Sequence, residues 1–139
     1  MSLSVRNQLP ATVTAVNVGQ AMATVKARLA GGQDITAAIT ADAVRDLGIT
    51  EGTEVRVLVK STEVSLATAA VDGISIRNQL AGTVTSLAKG PAMATVKVGV
   101  EGGQLTAAIT RESAEDLQLA EGARVVALIK STEVALALA

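Results

Sequence analysis

Apolar and polar residues alternate in short bursts along this chain, and the bursts predict strands. From Ala11 to Val18 the β-branched residues Val13, Val16 and Val18 mix with Thr12, Thr14 and Asn17 in an imperfect alternation that stops at a Gly19-Gln20 turn. Ala21 to Leu29 reads as the returning strand, with Lys26 and Arg28 on one face and Val25, Ala27 and Leu29 on the other. Ala30-Gly31-Gly32-Gln33 predicts a second hairpin turn, and Asp34 to Ile39 a third strand. The period then changes. Val44 and Leu47, three apart within Thr40 to Gly48, predict a short helix with Thr40 or Asp42 as N-cap and Gly48 at its end. A turn at Thr50 to Thr53 leads into Glu54 to Lys60, whose Val55, Val57 and Val59 share one side, and Glu63 to Ala67 is the last strand of the set.

The whole order is then written a second time. Ser4-Val5-Arg6-Asn7-Gln8-Leu9 returns as Ser75-Ile76-Arg77-Asn78-Gln79-Leu80, and Lys60-Ser61-Thr62-Glu63-Val64 returns as Lys130-Ser131-Thr132-Glu133-Val134. Strands are predicted at Gly82 to Leu87, Ala92 to Val100, Gln104 to Ile109, Arg124 to Lys130 and Val134 to Leu138, with a helix after Thr110. The offset between copies shortens by one residue beside the Gly-Gly turn, where Asp34 has no counterpart. Five short strands with one helix between the third and fourth predict a mainly β protein of two tandem OB-like five-stranded barrels. The boundaries read as residues 1–68 for the first domain, a small-residue linker at 69–73, and residues 74–139 for the second.

Each unit has roughly 65–70 residues, a size that buries only about 60% of its extended-chain surface and is marginal alone. With no cysteine or histidine, neither a disulfide nor an ordinary zinc site can help, so oligomerisation is expected. Aromatic residues are absent, which leaves Val, Ile, Leu and Ala to build the core. Lys and Arg number 12 against 13 Asp and Glu, a net charge of −1 that argues against a general grip on nucleic acid or anionic lipid. Base stacking on an OB-like barrel also needs rings this chain lacks. The N-terminal stretch has no basic region followed by an apolar one, and no run is long enough to span a membrane, so a cytoplasmic protein is expected.

A residue needed by a site built twice should occur twice. Among basic residues only Arg6 with Arg77, Lys26 with Lys97, and Lys60 with Lys130 pass that filter, whereas Arg28, Arg45 and Arg56 face Gly99, Glu115 and Val126. Arg6 and Lys60 have Ser4, Asn7, Ser61 and Thr62 beside them, the mixture of fixed positive charge and neutral donors that a compact oxyanion requires. Amides at the N-terminus of the helix after Thr40 add a further donor group, and Ser113 adds a hydroxyl where the first copy has Ala43. The competing reading makes Arg6 and Lys60 partners of Glu63 or Asp46 across a barrel end, with Thr40 merely a cap. Lys26 and Lys97 read as solvated strand faces, and Met22 and Met93 as core filler rather than metal ligands. Without His or Cys, and with Ser61 lacking an activating partner other than the adjacent lysine, an enzyme is not expected.

Ser-x-Arg-Asn-Gln opening a unit of this size, Ala-x-Ile-Thr before a short helix, and Lys-Ser-Thr before the last strand closely resemble the Mop domain of molbindins. The match covers both repeats, as in the di-Mop molbindins, which bind and store molybdate or tungstate. The resemblance implies an OB-like barrel per repeat, a homotrimer carrying six Mop domains, and oxyanions held at interfaces between domains. No cofactor is implied beyond the molybdate or tungstate ligand. Carried over by position, the contacts are Ser4, Arg6, Asn7, Lys60 and Ser61, then Ser75, Arg77, Asn78, Lys130 and Ser131, with Thr40, Thr110 and Ser113 reaching in from a neighbouring domain. Val5 and Ile76, where the family often has Ala, and Ala43, where a hydroxyl is common, are departures. The expected function is molybdate or tungstate storage by reversible capture. The alternatives are a structural or interaction module, or a ligand-sensing module with no storage role.

Overall fold

A computed structural model describes residues 2–139. The first repeat forms β1 (Asn7–Val18), β2 (Met22–Leu29), β3 (Asp34–Thr40), α1 (Ala41–Leu47), β4 (Glu54–Val59) and β5 (Ser65–Ala67). The second forms β6 (Asn78–Lys89), β7 (Met93–Val100), β8 (Gly103–Thr110), α2 (Arg111–Asp116), β9 (Arg124–Ile129) and β10 (Ala135–Leu138). A single 3-10 turn, Ser61–Glu63 or Ser131–Glu133, joins the last two strands of each repeat. The mainly β architecture with one short helix per repeat is the one expected.

Strand faces follow the alternation closely. Ala23, Val25, Ala27 and Leu29 of β2 point inward while Lys26 and Arg28 point to solvent, and Val55, Val57 and Val59 of β4 are buried. The imperfect alternation in β1 is a bulge: the register with β2 shifts between Val13 and Ala15, so the inward position after Val13 falls to Val16. The same shift recurs between Val84 and Ser86 of β6, and in each bulge a threonine hydroxyl donates to a carbonyl, Thr14 to Lys26 and Thr85 to Lys97, both at 3.2 Å. β1 begins at Asn7 rather than Ala11. Pro10 is tolerated because there β1 pairs with β4 alone, and the ladder to β2 opens only at Ala11. Met22 and Met93 are not core filler: they take outward positions on β2 and β7 and are 50% and 47% exposed.

Thr40 caps α1, accepting the Ala43 N–H at 3.1 Å, and Gly48 closes it in the left-handed conformation at φ 64°. At the equivalent place after α2 stands Gln118, with φ 54° and the same pair of closing hydrogen bonds. The repeats also differ at the second hairpin. Leu29 N–H donates to Gln33 O across a three-residue loop, whereas β7 and β8 pair down to Val100 and Gly103. The one-residue deletion therefore lies in a turn.

The two five-stranded antiparallel sheets have the orders β10-β4-β1-β2-β3 and β5-β9-β6-β7-β8. Each sheet takes four strands from one repeat and its fifth from the other, so the last strands are exchanged reciprocally, a difference from the barrel of five consecutive strands that the sequence predicts. β10 also meets β3, and β5 meets β8, which curls each sheet into an OB-like half-barrel. A marginal unit is thus completed within the chain. One apolar core of aliphatic residues runs through both halves.

Further contacts lock the halves together. β8 is an outer strand, and its unpaired backbone groups at Thr106 are taken by Asn7: the side-chain amide donates to Thr106 O at 2.9 Å and accepts from Thr106 N–H at 2.8 Å. Asn78 does the same to Thr36 on β3, at 2.8 Å for both bonds. Asn7 and Asn78 are the buried polar residues of the fold. Where the hairpins of the two repeats meet, a Cβ on Gly31 would lie 2.2 Å from Glu101 O, so backbone packs against backbone.

Candidate functional site

The antiparallel ladder between β1 and β4 ends at the pair Asn7 and Val59. One step beyond it in each strand lie Arg6 and Lys60, Val5 and Lys60 line one cavity, and Ser4 and Ser61 are close to them in sequence at the same strand end. Lys60 then enters the 3-10 turn in extended conformation, φ −66° and ψ 140°, and its carbonyl accepts the Glu63 N–H at 2.9 Å. The second repeat repeats this geometry: the ladder ends at Asn78 and Ile129, Arg77 and Lys130 follow, and Lys130 has φ −64° and ψ 137°. The fold therefore gathers Ser4, Arg6, Asn7, Lys60 and Ser61 at one strand end, and Ser75, Arg77, Asn78, Lys130 and Ser131 at another. Each 3-10 turn packs on the outer strand of the opposite repeat, Ser61–Glu63 on β8 and Ser131–Glu133 on β3, which puts both clusters at the boundary between halves.

Within each cluster, burial divides the residues. Arg6, Lys60, Arg77, Lys130, Ser4 and Ser75 are exposed, Ser61 and Ser131 half-buried, and the two asparagines buried. Among the described residues the ion pairs are Arg28 with Asp34, Arg45 with Asp42, and Arg111 with Glu115. Arg6, Lys60, Arg77 and Lys130 enter none of them, and neither Glu63 nor Asp46 neutralises them. Arg111, by contrast, is engaged: its hydrogen bond and charge hold the Glu115 carboxyl below the usual carboxylate range. An Arg and a Lys with hydroxyls at hand and no ion-pair partner can bind a compact dianion through charge-assisted hydrogen bonds.

Small cavities adjoin both clusters. One of about 160 Å³ brings Lys60 and Val5 together with Thr132 and Glu133 of the other repeat. The other, about 250 Å³, contains Arg77, Ile74, Ile76 and Gln79 with the linker residues Asp72 and Gly73.

Thr40, Thr110 and Ser113 are not brought to these clusters by contacts within the chain. Thr36 is the residue of β3 held by Asn78, and Thr40 lies four residues farther, about 13 Å along an extended strand. Two first-turn amides of α1 are already used: Ala41 N–H donates to Ala21 O at 2.8 Å and Ala43 N–H to the Thr40 hydroxyl. Thr110 caps α2 likewise, accepting the Ser113 N–H at 3.1 Å, with the two hydroxyls 2.8 Å apart. Ser113 faces a cavity of about 380 Å³ shared with Ser65 of the exchanged strand β5 and with Asp116. Sequence reasoning did not single out Thr36, Thr106, Asp72 or Glu133. Thr36 and Thr106 stand at matching places in the two repeats, so the comparison of copies contained them; Asp72 is unique to the linker and left no such signal.

The TOBE domain family matches the chain twice, over residues 3–66 and 74–136. The molybdenum-pterin-binding protein MopB of Rhodobacter capsulatus is 42% identical over 137 residues, which are 97% of this chain and 51% of its own. Molybdenum-pterin-binding protein 3 of Clostridium pasteurianum is 46% identical over 66 residues, 48% of this chain and 97% of its own. The crystal structure of the cytoplasmic molybdate-binding protein ModG, in a PEG-grown form with molybdate bound, superposes with a TM-score of 0.96 at 35% identity, covering 100% of both chains. The chain spans about half the length of MopB and of MopA, 51% and 53%. With both repeats matched by one domain family and the full-length fold shared with ModG, the chain belongs to the TOBE family and is a tandem of two such domains, as in the molbindins.

Proposed function

We propose that the protein captures molybdate reversibly and without chemistry, serving as a cytoplasmic store, with tungstate as a competing ligand. The observation that carries this reading is the pair of repeat-related Arg and Lys clusters, each supplied with serine hydroxyls and with its cations in none of the ion pairs among the described residues, in a fold shared with a molybdate-bound relative. Arg6 with Lys60, and Arg77 with Lys130, would supply positive charge, while Ser4, Ser61, Ser75 and Ser131 donate to the remaining oxygens. Asn7 and Asn78 would orient these groups, since both ends of each amide already hold backbone. Thr40, Thr110 and Ser113 would serve a site only across a subunit boundary, consistent with a homotrimer of six domains. Among the described residues no helix is long and apolar enough to cross a membrane.

Titration calorimetry with molybdate, tungstate and sulfate tests the reading. Expected is tight binding of molybdate or tungstate and not sulfate, lost in stages by Arg6→Ala and Arg77→Ala. Absence of heat from all three in folded protein would leave the clusters as interface residues.

A further inference from the structure

We infer that Asp72, in the linker, acts as an electrostatic counterweight at Arg77 and lowers the affinity of the second cluster for oxyanions, an inference that rests on the function proposed above. The donor sets of the clusters match, but the charged groups around them differ. In the first repeat, Gln8 donates to Val5 O at 3.0 Å and its carbonyl accepts from the Arg56 guanidinium at 3.4 Å. A second positive charge therefore stands close to the Arg6 strand end. In the second repeat the counterpart of Arg56 is Val126, and Gln79 holds the linker instead. It accepts the Val71 N–H at 3.0 Å and donates to Val71 O at 2.9 Å and Ile76 O at 3.2 Å.

That clamp, followed by a left-handed turn at Gly73 with φ 70°, carries the chain over the side of Arg77. Asp72 and Arg77 consequently line one cavity of about 250 Å³. Asp72 forms no ion pair among the described residues, so its charge is not committed to another cation. A dianion arriving at Arg77 meets this carboxylate across the width of the cavity. Coulomb repulsion between a dianion and a monoanion over such a span, at water-like dielectric, corresponds to roughly five- to tenfold in affinity. The repulsion is also screened by salt. Glu133 lines the cavity beside Lys60 of the first cluster, and because substitutions at Asp72 leave it in place, their effect reads the linker carboxylate alone.

The test is molybdate titration of the full chain carrying Asp72→Asn, with Asp72→Glu as the charge-conserving control, each also combined with Arg6→Ala or Arg77→Ala. Asp72→Asn should tighten the step that survives in Arg6→Ala by about five- to tenfold at low salt. The gain should shrink toward unity in 1 M NaCl and be missing in Asp72→Glu and in the Arg77→Ala background. A salt-independent change, or one shared by Asp72→Glu, would mean that Asp72 only packs the linker, and would overturn the inference. An unchanged affinity in a protein that binds molybdate would overturn it as well, leaving the function intact. Failure of the unaltered, folded protein to bind molybdate would instead refute the oxyanion reading and the inference with it.

Discussion

Replacing Asn7 by alanine separates a structural clamp from a ligand contact. The side chain makes two bonds to one residue of the opposite repeat, to Thr106 O at 2.9 Å and from Thr106 N–H at 2.8 Å, and is only 2% exposed. Its amide serves as a one-residue neighbour strand for the outer edge of β8. Truncation leaves a backbone donor and acceptor without partners, at about 1–3 kcal/mol each, so the loss is about 2–6 kcal/mol. For a chain of this size that is a fall in Tm of roughly 8–24 °C. Urea unfolding followed by far-UV circular dichroism measures it, the chain having no aromatic residue to fluoresce. Asn7→Asp sharpens the test, because a carboxylate can still accept from Thr106 N–H but is repelled by Thr106 O. Protonation restores a donor toward Thr106 O, so the variant should be more stable at acid pH than at neutral pH. A loss under about 0.5 kcal/mol in Asn7→Ala, coupled with abolished molybdate binding, would refute the clamp and return Asn7 to the ligand.

Three other outcomes are expected. Gly31→Ala should cost at least about 2 kcal/mol in urea unfolding, because its Cβ would stand 2.2 Å from Glu101 O on a facing backbone, while Gly32→Ala, with open space around it, should lose only about 1 kcal/mol from its positive φ of 94°. Gly48→Ala should destabilise by about 1 kcal/mol and Gln118→Gly should stabilise by somewhat less, the reciprocal changes at equivalent left-handed positions; a stability loss in Gln118→Gly would contradict this. A fragment of residues 1–68 lacks β10, and its own β5 lacks β9, so it should be a strand-exchanged dimer or unfolded. A folded monomer by sedimentation would show that β5 can close its own sheet.

The succession of strands and helices along the chain, the aliphatic core and the duplication were all legible from one dimension, because each rests on local periodicity or on comparing the chain with itself. The bulge at Thr14 was visible too, as a break in alternation whose meaning emerged only once β2 was paired. The exchange of last strands was not legible. Val64-Ser65-Leu66-Ala67 and Val134-Ala135-Leu136-Ala137 have nearly the same side chains on the same faces, so either strand suits either sheet, and only the path of the chain between them decides. For the candidate site, repetition singled out Arg6, Lys60, Arg77 and Lys130 and their serine neighbours, which occur in both copies. Repetition could not say where an amide points. Asn7 and Asn78 have the same chemistry for an oxyanion as for a backbone edge, and tertiary structure commits both bonds of each to the opposite repeat. Met22 and Met93 looked like core by type, yet their place one step before Ala23 and Ala94 in an alternating strand turns them outward. Asp72 had neither repetition nor motif to mark it, because its closeness to Arg77 arises from a fold of the linker that Gln79 holds in place.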